Sequence, residues 1–355
     1  MAMPGSNPLR LTRPKALKAG DTVAIVSPSW GGPGAFPQRY QSGVRQLEAH
    51  FGVTVTAMPH TLAAPDWVAD HPEARARDLM DAFADPAIDG IIASIGGEDC
   101  VRLMPHLDLD VITANPKVFL GFSDTTALHL ACLRAGLGSF YGPSLMAGIA
   151  ENTGMHRLTS DGLQKALFQT TPIGAIARND EGWTTQRLDW GDPQLQAIAR
   201  QMNPASPPHI LQGQGRVSGH LLGGCAEVLE MVKGTPWWPP LEAWTGALFF
   251  FETSEEAPPP GFVRWWLRNY GAAGILQRLN GILIARPDPG GNPHYQRELE
   301  EVFVTVLAEN GLQHLPVLSG LDFGHTQPMI TLPYGVEAHI NCDTAQLTIT
   351  EPGVR

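Results

Sequence analysis

The chain has 355 residues, of which 43% are hydrophobic and 17% are charged, so it is expected to fold around buried cores rather than to stay disordered. Its formal net charge of -11 argues against a nucleic acid polymer as a partner, because the phosphate backbone would be repelled. No apolar run is long enough to span a bilayer, the N-terminus lacks the pattern of a secretory signal, and the four cysteines form no C-x-x-C pair, which together predict a cytoplasmic protein without a membrane partner.

Predicted strands and helices alternate through the first 150 residues. Such alternation predicts a parallel sheet with helices on both faces, in a lobe of the flavodoxin or Rossmann type. In folds of this kind the chemistry gathers at the carboxyl ends of the strands. Strands are predicted at 22–26, 53–58, 88–94, 117–120 and near 140, and helices at 37–50, 73–84 and 125–135.

The remainder of the chain divides into a connector and a second lobe. Residues 151–212 are rich in Pro, Gly, Asn and Asp and have weak periodicity, so we predict a connector that includes a mobile loop. From 213 to 355 we predict a mixed, β-rich α/β lobe, with strands at 246–251, 281–285 and 315–318 and β-like alternation near the end. The predicted division is therefore 1–150, 151–212 and 213–355.

The segment Gly121-Phe122-Ser123-Asp124 joins a predicted strand to a predicted helix. A serine on such a tight turn can expose its hydroxyl, with backbone N–H groups of the helix start available to an oxyanion. Ser and Asp are also ordinary residues at helix N-termini, and this segment differs from the G-x-S-x-G elbow. Taken alone, it favours a helix cap over a nucleophile.

Gly96 and Gly97 follow another predicted strand. Paired glycines let the backbone approach a ligand closely and can direct N–H groups at an anion. Taken alone, the pair is more typical of a turn that ends a strand. A dinucleotide site is disfavoured because the G-x-G-x-x-G pattern is absent here.

Two further strand ends carry a histidine and a carboxylate. His325 follows a predicted strand and lies between Gly324 and a polar run that ends at Pro328, which suits a base held in a fixed loop. Glu252 ends a very apolar strand, where a carboxylate is costly unless it is paired. Pairing with an imidazole N–H would satisfy it. The neighbouring Glu255 is expected to be solvated.

Together these segments resemble the peptidase family that contains the LD-carboxypeptidases and the microcin C self-immunity proteins, and the resemblance covers nearly the whole chain. Each motif is weak alone, but their number and order make the resemblance specific. The matching segments are Leu17-Lys18-Ala19-Gly20-Asp21, Gly96-Gly97, Asn115-Pro116-Lys117, Gly121-Phe122-Ser123-Asp124, Gly219-His220-Leu221-Leu222-Gly223-Gly224, Gly234-Thr235-Pro236, Phe251-Glu252, Gly324-His325 and Pro328-Met329.

The resemblance implies a serine peptidase or amidase with Ser123 as nucleophile, His325 as base and Glu252 as acid. It also implies an oxyanion hole formed by the backbone N–H groups of Asp124 and Gly97. Two departures from the family pattern, Glu252-Thr253 in place of Glu-Asp and the acidic pair after Gly97, leave the triad intact but bear on substrate preference.

The connector carries Trp183 and Trp190. Similar loops in the microcin immunity branch stack an aromatic side chain on the nucleotide base of the substrate, and any base offers a face for such stacking. The tryptophans could equally anchor the loop on the body of the protein. The resemblance to the microcin immunity branch implies a peptidyl or aminoacyl nucleotide as the substrate.

Two alternatives stay open at this point. One is release of D-alanine from murein tetrapeptides, for which Arg264 is a candidate partner of the terminal carboxylate. The other is a small-molecule binding protein without turnover. No cofactor is expected, no metal-ligand motif such as H-E-x-x-H is present in the sequence, and a homodimer is expected by analogy with the family.

Overall fold

The structure, a computed structural model, describes residues 9–355. The expectation that no secretory signal is present concerns in part residues 1–8, which lie outside the described residues. The elements of residues 9–150 are β1 (Thr22–Val26), α1 (Gly32–Ala35), α2 (Pro37–Phe51), β2 (Thr54–Ala57), α3 (Pro65–Asp70), α4 (Pro72–Ala84), β3 (Gly90–Ala93), α5 (Leu109–Ala114), β4 (Val118–Gly121), α6 (Thr126–Arg134) and β5 (Phe140–Tyr141).

Helix α2 illustrates why these segments fold as they do. It begins at Pro37, whose fixed φ suits a first helical position, and it ends at Phe51, where the following Gly52 adopts a left-handed conformation with φ 68°. Tyr40, Leu47 and Phe51 are buried, and their spacing puts them on one side of the helix. The helix therefore covers the sheet with a single apolar face.

The later part of the chain adds four α-helices and nine strands, four of which form a central parallel group. Its elements are α7 (Arg157–Leu167), β6 (Gly174–Ala175), β7 (His209–Gln212), β8 (Arg216–Cys225), α8 (Ala226–Val232), β9 (Ala247–Glu252), α9 (Pro260–Ala272), β10 (Gly281–Ala285), α10 (Tyr295–Glu309), β11 (Val317–Leu321), β12 (Leu332–Pro333), β13 (Glu337–Asn341) and β14 (Gln346–Ile349).

These strands form two sheets. The first has the order β12-β5-β4-β3-β1-β2 and is parallel except for β12, which pairs antiparallel with β5. The second has the order β6-β14-β13-β8-β9-β10-β11-β7, with β8 to β11 parallel and the outer strands antiparallel. The predicted fold class, a parallel-sheet lobe with a mixed β-rich lobe, is confirmed. The exact division of the chain stays a prediction: β6 and β7 of the predicted connector join the second sheet, and β12 of the predicted C-terminal lobe joins the first.

The two sheets meet at their carboxyl ends. Gly224, at the end of β8, has φ 143°, and a Cβ there would lie 2.5 Å from the side chain of Thr126. The backbone N–H of Cys225 donates to Oγ1 of the same threonine at 3.0 Å, and the rings of Tyr141 and Phe250 are 5.4 Å apart. Close backbone approach at a glycine therefore brings the start of α6 against the second sheet.

The structure also contains elements that the sequence did not predict. Helix α7 lies within the predicted connector, where weak periodicity was expected; its Thr, Ser and Gly lower helix propensity, but Leu163, Ala166 and Leu167 are buried at helical spacing. Strand β8 is rich in glycine, which is depleted in strands. Its glycines have a packing reason: a Cβ on Gly219 or Gly223 would lie 2.1 or 1.8 Å from backbone oxygens of the neighbouring strand region.

Candidate active site

Three segments that are distant in sequence meet where the two sheets face each other. Ser123 follows β4, Glu252 ends β9 and His325 lies in the loop after β11. The hydroxyl of Ser123 is 3.0 Å from Nε2 of His325, and Nδ1 of His325 is 2.7 Å from Oε2 of Glu252. The structure thus brings together the three residues that the sequence indicated for a hydrogen-bonded relay.

The turn at Ser123 is strained. Its φ of 62° is in the left-handed region, which costs a residue with a Cβ roughly 1–2 kcal/mol. The serine opens a short 3-10 helix, Ser123–Thr125, that leads directly into α6. A sharp strand-to-helix turn of this kind presents a side chain to the space above the sheet.

Glu252 is 2% exposed, so its charge needs close partners. Oε2 of Glu252 accepts a hydrogen bond from Nδ1 of His325, and Oε1 accepts a hydrogen bond from the hydroxyl of Tyr141. Gly324 makes this approach possible, because its φ is 91° and a Cβ there would lie 2.7 Å from the carboxylate. The glycine beside His325 is therefore required by both backbone conformation and space.

The charge of His325 is set by opposing effects. Burial lowers its pKa, but the charge of Glu252, the hydrogen bond to it and the charges of Glu255 and Glu227 outweigh burial and raise the pKa from 6.5 to about 9. When the ring is neutral, donation from Nδ1 to Glu252 leaves Nε2 free to accept the proton of Ser123.

Tyr141 links the two sides of the site and was not predicted as a site residue. Its hydroxyl donates to Glu252 and accepts the backbone N–H of Ser123 at 3.1 Å. Burial, followed by the charge of Glu252, raises the pKa of Tyr141, so the hydroxyl keeps its proton. The N–H of Ser123 is consequently occupied by this contact.

Gly96 and Gly97 lie beside the nucleophile. A Cβ on Gly96 would lie 2.9 Å from Cβ and 3.0 Å from Oγ of Ser123, and 3.5 Å from the backbone nitrogen of Asp124. Gly97 has φ 145°, and a Cβ there would lie 2.4 Å from the hydroxyl of Ser29. The glycine pair leaves open the space next to the serine hydroxyl.

The side chain of Asp124 ties this glycine loop to the nucleophile turn. It accepts the hydroxyl of Ser29 at 2.5 Å and the backbone N–H groups of Asp99 and Cys100 at 2.7 Å each. These contacts, like the role of Ser29, were not predicted, since they depend on three strand ends coming together.

A cavity of about 420 Å³ opens above these residues. Of the tryptophans in the described chain, Trp30 and Trp190 line it, whereas Trp183 lies outside the lining. Trp190 packs edge-on against Phe36, and the guanidinium of Arg39 lies 4.9 Å from its ring centre. Trp183 instead lies under Arg286 at 5.4 Å. The structure therefore places Trp190 in the cavity wall and Trp183 outside it.

The cations of the cavity differ from the predicted one. Arg264 is exposed on α9 and lies outside the lining. Arg39, Arg187 and Arg200 line the cavity instead. Burial lowers the pKa of Arg39 to about 10, and Asn152 accepts from its guanidinium at 2.6 Å. These arginines were not predicted as site residues because they come from helix α2 and from the connector, which are distant in sequence and meet only at the cavity wall.

Glu255 is exposed, as predicted, but it also contacts the site. Its side chain is 42% exposed, yet Oε2 lies 3.1 Å from Nε2 of His325, the nitrogen that also faces Ser123.

Within residues 9–355, no group of three or more His, Cys, Asp or Glu side chains is arranged to hold a metal ion. No helix in that range is long and apolar enough to cross a membrane.

Comparison with known proteins gives consistent matches over nearly the whole length. Residues 23–142 match the LD-carboxypeptidase N-terminal domain and residues 218–340 match the LD-carboxypeptidase C-terminal domain. The microcin C7 self-immunity protein MccF of Escherichia coli is 30% identical over 94% of this chain and 94% of its own. A probable murein peptide carboxypeptidase of Bacillus subtilis is 29% identical over 96% and 95%.

A solved structure gives a similar result for the fold. The crystal structure of an MccF-like protein from Streptococcus pneumoniae in complex with AMP superimposes with a TM-score of 0.83 at 31% identity, covering 93% of this chain and 98% of that one.

Proposed function

The chain belongs to the LD-carboxypeptidase family, and from that premise we propose that it is a serine hydrolase that cleaves the amide bond of a peptidyl or aminoacyl nucleotide. Ser123 is the nucleophile, His325 the general base and Glu252 the acid that orients the histidine. The observation that carries this proposal is the continuous chain of contacts from Oγ of Ser123 through both ring nitrogens of His325 to Glu252.

In the first half of the reaction, Nε2 of neutral His325 takes the proton of Ser123 while Oγ attacks the amide carbonyl. Glu252 holds the tautomer by accepting from Nδ1 and stabilises the imidazolium that forms. The tetrahedral intermediate then collapses, His325 gives the proton to the leaving nitrogen, and the acyl group stays on Ser123.

The negative charge that develops on the carbonyl oxygen needs donors near Ser123. The N–H groups of Asp124 and Gly97 are the proposed pair, with the space beside Gly96 left for the oxygen. The N–H of Ser123 is excluded from this role because it already donates to Tyr141.

The second half of the reaction restores the enzyme. His325 takes a proton from water, the resulting hydroxide attacks the acyl group, and Oγ of Ser123 leaves with the proton from His325. The products are a free carboxylate and the amine, so one water molecule is consumed.

The nucleotide is proposed to bind at the Trp190 end of the cavity. A partly buried indole that lines the cavity beside cationic side chains suits a base and its phosphate-derived group. The similarity to the microcin C7 self-immunity protein and to a protein crystallised with AMP supports this choice. Trp183 is not assigned a contact with the base.

A second candidate is removal of the terminal D-alanine of a murein tetrapeptide. Arg39 favours it, because it supplies a cation in the cavity lining that a free terminal carboxylate could reach, whereas Arg200 is already paired with Glu151. The murein peptide carboxypeptidase relative supports the same reading. The intact relay of Ser123, His325 and Glu252 argues against a protein that only binds.

Incubation of the purified protein with both substrate classes, followed by mass spectrometry of the products, tests the proposal. An aminoacyl sulfamoyl adenosine should give the amino acid and sulfamoyl adenosine, while a murein tetrapeptide should stay intact, and Ser123→Ala should give neither product. Release of D-alanine alone would select the second candidate. Absence of both products, together with no labelling of Ser123 by a fluorophosphonate, would refute a hydrolase.

The cellular setting is part of the proposal. All four cysteines are free, as expected for a protein that works in the reducing cytoplasm. A homodimer is proposed by analogy with the family, and sedimentation equilibrium would check it.

A further inference from the structure

Glu255 occupies an unusual position for a half-exposed carboxylate. It follows β9 by three residues, on the loop that leaves Glu252, and lines the cavity. Its Oε2 lies 3.1 Å from Nε2 of His325, and the hydroxyl of Ser123 lies 3.0 Å from the same nitrogen. Two oxygens therefore compete for the atom that must accept the proton of the nucleophile.

The charges around His325 are all acidic. Glu252 contacts Nδ1, Glu227 acts on the ring from α8, and Glu255 contacts Nε2. Tyr141 reaches the ring only through Glu252 and stays neutral. Within the described chain Glu255 forms no ion pair with a lysine or arginine; the nearby Arg187 faces Asp288 at 4.0 Å. The carboxylate of Glu255 is thus left without a permanent cation.

We propose that Glu255 is a specificity-determining residue, whose carboxylate binds the α-ammonium group of the acyl residue of the substrate and, in doing so, leaves Nε2 of His325 to Ser123. The inference rests on the proposed amide hydrolysis and selects the aminoacyl nucleotide from the two substrate classes proposed, because the acyl residue of a peptidyl nucleotide has an amide in place of the α-ammonium group. An α-ammonium group is bonded to the carbon next to the scissile carbonyl, so a substrate poised over Ser123 brings this group close to Glu255.

Binding and activation are coupled by this exchange. With Glu255 on Nε2, the imidazolium is favoured and the ring holds a proton there, which prevents it from acting as a base. A substrate ammonium draws the carboxylate away and adds a positive charge near the ring, and both changes favour the neutral imidazole. A substrate whose amino group is blocked by acetylation provides neither effect.

The first test follows the base without a substrate. The rate at which a neutral fluorophosphonate labels Ser123 is measured against pH in the wild type, in Glu255→Gln and in the control Glu256→Gln, which changes the adjacent exposed carboxylate. Because labelling needs neutral His325, the midpoint should move to lower pH by about one unit in Glu255→Gln and stay unchanged in the control. Equal midpoints in all three proteins would overturn the inference.

The second test compares alanyl sulfamoyl adenosine with its N-acetyl derivative. We expect the wild type to prefer the free amine by roughly tenfold or more in kcat/KM, as a charged hydrogen-bond partner is worth about this much, and Glu255→Gln to lose the preference. A preference that survives in Glu255→Gln would contradict the inference. If the wild type cleaves neither compound, the proposed substrate class fails, while the labelling midpoints still decide whether Glu255 controls His325.

Discussion

The two sheets contribute to the site in different physical ways. The six-stranded sheet supplies the nucleophile through backbone geometry, with Ser123 in a left-handed turn and Gly96 leaving space beside its hydroxyl. The eight-stranded sheet supplies charge, since Glu252 and Glu255 contact opposite nitrogens of His325.

This contrast separates two kinds of defect. A change on the first side moves or removes an atom, so it should lower the rate at every pH. A change on the second side alters the pKa of His325, so it should also shift the pH at which the enzyme works. Substitutions on each side test whether the separation is real.

The largest effect is expected for Ser123→Ala. Removal of the nucleophile should lower kcat by about a million-fold, as in a comparable triad, without altering the cavity. Single-turnover kinetics would measure the loss, and calorimetry with AMP should give the same affinity as the wild type. Wild-type turnover in this variant would exclude the mechanism.

Glu252→Gln should cost less, about 10⁴-fold in kcat by analogy with the matching change in another triad, because the tautomer of His325 is no longer fixed. It should also lower the pKa of His325 from about 9, since the main charge that raises it is removed. The wild-type kcat/KM should rise as the pH approaches 9, and the variant should reach its plateau at lower pH. An unmoved pH profile would contradict the division between the sheets.

The same pKa has a consequence for stability. His325 is a stronger base in the folded protein than in the unfolded chain, so its contribution to the free energy of unfolding is fully present below pH 6.5 and is lost as the pH rises through about 9. Glu252→Gln should reduce this loss, which urea titrations at several pH values would measure.

The sequence predicted the backbone side of the site better than its electrostatics. Ser123 and Gly96 each lie shortly after an apolar strand, where the chemistry of a parallel sheet gathers, but their roles came from the family resemblance, since each segment alone favoured a cap or a turn. The hydrogen bond from Tyr141 to Glu252 connects two residues that are 111 positions apart in sequence. The contact between Glu255 and His325 connects the loops that follow β9 and β11. Such contacts depend on the packing of side chains from separate elements, which local patterns do not encode.

The fold shows the same limit. Strand β4 was predicted because its residues are all apolar, whereas β8 was hidden by glycines. Those glycines are explained only by the neighbouring strand, whose backbone lies where their Cβ atoms would be.

Gly96→Ala should give a smaller loss, about 10²–10³-fold in kcat, because the new Cβ would push on Ser123 and the proposed oxyanion position. The pH midpoint should not move, since no charge changes. Gly162→Ala is a matched control: it lies in α7, where the nearest atom to a new Cβ is 3.6 Å away. A shift of the midpoint in Gly96→Ala would show that geometry and charge are not separable here.

The smallest effect is expected at the far end of the cavity, away from both sides of the relay. Trp190→Ala should weaken AMP binding by roughly 10- to 100-fold, the usual worth of one stacked base, and raise KM for a nucleotide substrate while leaving kcat and its pH profile nearly unchanged. Trp183→Ala is the control, since its ring contacts Arg286 outside the cavity lining. Calorimetry on both variants distinguishes a binding surface from a loop anchor. Equal losses in the two would mean that both tryptophans hold the connector in place, and the base would then have to bind on another part of the cavity wall, with Trp30 as the remaining indole.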